Sequence, residues 1–137
     1  MNSNGQVSLE FLLLLAGFFS VLAIIIPASI NLFEVSIFAL DARNASIFSE
    51  QLSSAIEELS ILEDGSMKTL FLNPLLEWRI VSQNNKIVIE VIDEKIGKQK
   101  SFIFESNENL SEFNENFSSK SRIIVEKVDG VISVKNG

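Results

Sequence analysis

Hydrophobic residues along this chain fall into two regimes. From Phe11 to Ile30 no residue carries a formal charge and nearly all are apolar. As a helix rising about 1.5 Å per residue, the block is roughly 30 Å long, the thickness of a bilayer's hydrocarbon core. It is apolar on all sides, as a helix facing lipid or other helices is. Ala16 and Gly17 leave room for close helix approach. Pro27 lacks the N–H that a helix interior uses, and it predicts a kink or local unwinding. After Asn31 the apolar positions thin to a stripe. Phe33, Ile37 and Leu40 step by four and three, and so do Phe48, Leu52, Ala55, Leu59 and Leu62. Such spacing predicts an amphipathic helix. Glu34, Asp41, Arg43, Ser49, Glu50, Glu57 and Glu58 are assigned to its polar face. The eight-residue step from Leu40 to Phe48 shifts the stripe. The pattern predicts one helix from about Gln6 to about Leu62, roughly 85 Å if continuous. Gly65, after Glu63-Asp64, is placed to cap it in the left-handed conformation, so the helical region spans 6–64.

From Leu76 the period becomes two. Trp78, Ile80 and Ile87–Ile92 read as strands around a Gln83-Asn84-Asn85 turn. Met67–Leu72 reads as a first strand or a connecting segment, followed by a turn at Asn73-Pro74. Ser101–Glu105, Arg122–Val128 and Val131–Lys135 read as further strands, with Asp129-Gly130 a hairpin signal between the last two. Ser106–Ser121 is polar and acidic and predicts an exposed loop. Leu110, Phe113 and Phe117 recur within it at the spacing of a short helix. The expected class is α+β: a long N-terminal hydrophobic and amphipathic helix, then a small antiparallel β-meander domain over 65–137 with one face on the helix.

Composition narrows the chemistry. A net charge of −7 argues against nucleic acid, which requires a basic footprint. The chain has no cysteine and no histidine. That excludes disulfides, thiolate metal sites and every Ser–His or Cys–His catalytic arrangement. No pair of acids is framed by a recognisable motif, so the expectation is a non-enzymatic protein without metal or cofactor. Three Asn-x-Ser sequons occur, at Asn44, Asn109 and Asn116. Asn109 and Asn116 fall in the expected loop and are glycosylation candidates if the domain is translocated. Asn44 lies near the helix face that carries Ile37, where a glycan would collide with packing.

One carboxylate, Glu10, sits at the front edge of the apolar block. A charge near bilayer depth is unfavourable by about 2.5–3.5 kcal/mol at a helix centre and less near the interface. Gln6 lies one helical turn earlier. A cut before Gln6 would place a positive α-amino group one turn from Glu10, on the same chain or a neighbour, and Glu10 would complement the helix dipole.

The pattern Gln6-x-Ser8-x-Glu10-x-x-x-Leu14, preceded by Gly5 and running into the apolar block, resembles the class III signal peptide of archaeal type IV pilin-like proteins. The motif covers only the first part of the chain; the rest of the resemblance is architectural. It implies a leader, residues 1–5, removed by a prepilin peptidase between Gly5 and Gln6. It also implies that Glu10 is the assembly carboxylate. The partners implied are the peptidase, other pilin subunits through the helix, and membrane lipid before assembly. The implied destination is a cell-surface filament used in adhesion. The leader departs from the family pattern in having no Lys or Arg; the first basic residue is Arg43. The alternative reading is an uncleaved membrane-anchored extracellular binding module.

Overall fold

A computed structural model describes residues 3–137. It contains one α-helix, α1 (Ser3–Ser60), and seven strands: β1 (Met67–Leu72), β2 (Glu77–Gln83), β3 (Lys86–Asp93), β4 (Lys98–Glu105), β5 (Phe113–Phe117), β6 (Ser121–Val128) and β7 (Val131–Asn136). The class is α+β, with the long N-terminal helix and the antiparallel β-domain that the hydrophobic pattern predicts. The chain divides into two units, one ending at Ser36 and one spanning Ile37–Gly137.

In the first unit α1 continues through Pro27 without the predicted unwinding. The proline removes a single backbone donor. The hydroxyls of Ser20, Ser29 and Ser36 donate to the carbonyls of Ala16, Ile25 and Leu32, four residues back, at 2.7–2.8 Å. The hydroxyls of these three serines are thus satisfied by their own helix, which suits an apolar surrounding.

In the second unit the strands form two antiparallel sheets, in the orders β1-β6-β7 and β4-β3-β2-β5. Meander connections hold for β2–β3–β4 and β6–β7. They fail at β1, which pairs with β6 (Leu70 opposite Ile123), and at β5, which returns to lie beside β2 (Trp78 opposite Phe117). Phe113 and Phe117 therefore belong to a strand, not to a helical turn, and only part of the region 106–121 is loop. The segment 109–111 joins the sheets. The Ile132 N–H donates to the Asn109 carbonyl and the Ser111 N–H to the Ile132 carbonyl, both at 2.9 Å. The Asn136 side-chain amide reaches Glu115 across the same seam.

The two sheets curl around the second half of α1. Ala45, Phe48, Leu52, Ala55, Ile56 and Leu59 meet inward residues of both sheets in one buried cluster that includes Trp78, Ile80, Ile87, Ile89, Ile123 and Ile132. Alternate burial along β2 and β3 is the period-two signature of strands covered on one face. Each large side chain so buried contributes about 1.5–3 kcal/mol. The buried stripe begins at Asp41 and Ala42, while Leu40 and Leu62 lie exposed. The eight-residue step marks this change of face.

The helix ends at Ser60, two residues before the predicted end near Leu62. The Lys127 ammonium donates to the carbonyls of Ser60 and Leu62 at 3.0 and 3.1 Å, meeting acceptors that a helix end leaves open. Gly65 takes a φ of 91°, the left-handed geometry expected there. Asn84-Asn85 and Asp129-Gly130 both have positive φ at their two central positions, the geometry that closes a tight hairpin.

Candidate functional site

The motif residues Gly5, Gln6, Ser8, Glu10 and Leu14 all lie on α1 and are exposed. The helix already includes Gly5 and the rest of the described leader from Ser3 onward, so the boundary at Gln6 is not a helix start. Met1 and Asn2 of the leader lie outside the described residues. Glu10 forms no hydrogen bond or ion pair among the described residues. Gln6 stands one turn before it.

Between Val7 and Phe33 large apolar side chains point outward on every side of α1; Leu14, Ile24 and Phe33 are 75, 73 and 67 % exposed. By length and composition this helix can cross a membrane. The fold and this helix define an α+β protein with one membrane-type helix at its N-terminal side. No family model, no curated protein and no solved structure matches the chain.

The three sequons differ in setting. Asn109 is exposed, and its carbonyl accepts from Ile132. Asn116 is also exposed but sits on β5 rather than in a loop, with its side-chain amide donating to Glu77 at 2.9 Å. Asn44 is half-buried beside Leu40, Ile47, Phe48 and Trp78, lining a cleft of about 400 Å³ between α1 and the 71–75 segment.

Asp41, assigned from sequence to the polar face, is fully buried. Its carboxylate accepts from the Leu75 N–H at 3.0 Å, the Leu76 N–H at 2.9 Å and the Trp78 Nε1–H at 2.8 Å. A buried charge is tolerated when hydrogen bonds replace its water. Here three donors fasten the 73–76 connection and the start of β2 to the helix. The sequence held a signal for this: Asp41 stands seven residues before Phe48 and so on the core stripe. Nothing local announces the capping role of Lys127, because its partners lie more than sixty residues away in sequence.

Proposed function

We propose that this chain is a structural subunit of a cell-surface filament of the archaeal type IV pilin-like kind. It is made as a membrane precursor and cut before Gln6 by a prepilin peptidase. Assembly then proceeds through the apolar half of α1. One observation carries the reading. The apolar surface from Val7 to Phe33 lies open, while the same helix supplies the buried spine of a β-domain from Asp41 to Leu59. A segment with no cover of its own is thereby made covalently continuous with a folded head. Lipid covers it in the precursor, and other subunits cover it after assembly.

The motif residues support this. Removal of residues 1–5 leaves an α-amino group at Gln6, one turn from Glu10, and the charge pair offsets the cost of a carboxylate in an apolar setting. The exposed β-domain serves as the outward, adhesive part, with Asn109 and Asn116 as glycan acceptors. The reading assigns the protein no catalytic step, cofactor or metal.

The test is the mass of the mature N-terminus, measured on protein from membranes of a host that carries an archaeal prepilin peptidase. A chain beginning at Gln6, or at its cyclised pyroglutamate form, is expected. A chain retaining residues 1–5 would instead favour an uncleaved anchor that holds a binding module at the surface.

A further inference from the structure

The chain contains 11 Lys and Arg residues, and they divide sharply. Lys68, Arg79, Lys86 and Lys135 pair with Glu58, Glu90, Glu105 and Glu126. Lys127 caps α1. The other six, Arg43, Lys95, Lys98, Lys100, Lys120 and Arg122, are exposed and make no ion pair among the described residues.

These six share one end of the second unit. That end is marked by Asp41, where α1 enters the unit, and by Trp78, which donates to it. Arg43 lies on α1 two residues beyond Asp41. Lys95 lies in the β3–β4 turn and Lys98 begins β4 opposite Asp93, just past the Ile92–Glu77 pair that begins β2. Lys100 stands opposite Val91, which itself stands opposite Trp78. Lys120 lies between Phe117, the partner of Trp78, and Ser121, the partner of Leu72. Arg122 faces Phe71, which lines the cleft beside Leu40. We call this the proximal end.

Four acids lie near it, and their hydrogen bonds to neutral donors leave their charges in place. Asp41 is held by three donors, Asp93 is buried and accepts from the Lys95 N–H, and Glu77 accepts from Asn116. Glu94 alone is exposed without such a partner. The opposite end carries Glu57, Glu58, Glu63, Asp64, Glu105 and Asp129. A protein of net charge −7 thus gathers six of its eleven cations at the proximal end, against four acids, while Lys68, Lys86 and Lys127 share the distal end with the six acids there. Leu40 and Leu75, 52 and 51 % exposed, sit among the proximal cations. Apolar side chains beside Lys and Arg make an interfacial composition.

Chain length limits how far the first residue of this unit lies from the apolar block. Ile37, the first residue of the unit, is four residues past Phe33. Four residues reach at most about 14 Å even when fully extended. If the block through Phe33 lies in hydrocarbon, Ile37 follows within that reach, with Glu34 between them.

We infer that the proximal end docks onto anionic, phosphate-bearing headgroups of the membrane that α1 spans. This rests on the membrane-precursor part of the reading above. The surface potential of such a membrane attracts Lys and Arg over roughly one Debye length, about 8 Å at physiological salt, with a gain of roughly fivefold in binding per cation. Docking holds the precursor's head against the membrane. Withdrawal of the helix from the bilayer frees it.

The test uses the full chain and its lack of native cysteine. An environment-sensitive dye is attached at Gln99→Cys on β4 near the proximal end, and in a second sample at Asn107→Cys at the distal end. Each is reconstituted into vesicles of phosphatidylcholine alone or with phosphatidylglycerol. The expected result is shielding of the position-99 dye only with phosphatidylglycerol, reversed by salt, with the position-107 dye unchanged. Replacing Lys95, Lys98 and Lys100 together by Gln lowers the docked-to-free ratio roughly a hundredfold. Equal shielding in both lipids, or shielding that survives the triple replacement, would overturn the proposal. So would the same dye response to inorganic phosphate in detergent, which would indicate a soluble-anion site. Flotation with pure phosphatidylcholine tests the anchor separately. A chain that floats only with anionic vesicles at low salt would remove the anchor and leave the basic face standing. A chain that floats with both, with no lipid dependence of the dye, would do the reverse.

Discussion

At the scale of single residues, Asp41 contributes most to the link between helix and sheet. Its three donors are two backbone amides and one indole, all at 2.8–3.0 Å. Removing the carboxylate strands these donors in a buried place, and each orphaned group costs about 1–3 kcal/mol unless water enters. Asp41→Ala is therefore expected to destabilise the β-domain by about 2–4 kcal/mol. Thermal unfolding of the detergent-solubilised chain, followed by the emission of Trp78, its single tryptophan, measures this. An unchanged midpoint and an unshifted native emission would show that the clamp contributes nothing. The residue also marks the limit of reading by polarity. An acid beside Arg43 belongs by composition on the wet face, yet its seven-residue offset from Phe48 put it on the core stripe. Composition and periodicity disagreed, and periodicity was the better guide. Glu10, Asn109 and Asn116, by contrast, are identified only by motif, because they are exposed, whereas Asn44 is half-buried in the cleft beside Trp78.

At the scale of elements, the strands were legible wherever alternation ran long enough. Ile87–Ile92 and Arg122–Val128 are examples, and the Asp-Gly turn between β6 and β7 took the left-handed geometry its sequence requires. Asp129 and Gly130 have φ values of 51° and 75°. A β-branched residue in the left-handed region costs about 1–2 kcal/mol. Gly130→Val should lower the stability of the detergent-solubilised chain by that amount, whereas Asp129→Gly should leave it nearly unchanged. Comparison of their denaturant midpoints checks this, and equal midpoints would refute it. β5 was not legible. Its five residues, Phe-Asn-Glu-Asn-Phe, lack β-branched side chains, and the Phe113–Phe117 spacing of four imitates a helix. What makes it a strand is the free edge of β2 and a place for Phe117 beside Trp78, which are tertiary facts. Helix α1 stopped at Ser60 for a comparable reason, since its cap is a lysine from a distant strand.

At the scale of the whole molecule, the division between an open apolar helix and a covered one yields the assembly prediction. Membrane insertion depends on the apolar block, so Glu10→Ala should insert as well as the parent or slightly better. If Glu10 pairs with a neighbour's N-terminus, the same variant should yield far fewer filaments. Sheared filament mass set against membrane-bound precursor gives the ratio, and an unchanged ratio would refute the pairing. The sheet topology carries a further implication, for synthesis. β1 finds its partner in β6, more than fifty residues later in the chain. During translation the helix and five strands emerge before any residue that can close the β1 side of the core. Until β6 and β7 arrive, Leu70 and Leu72 have no sheet to join, and the helix stripe stays covered by β2–β5 alone. A chain that stops before Ser121 is thus expected to leave the edge of β1 unpaired and one side of the core open.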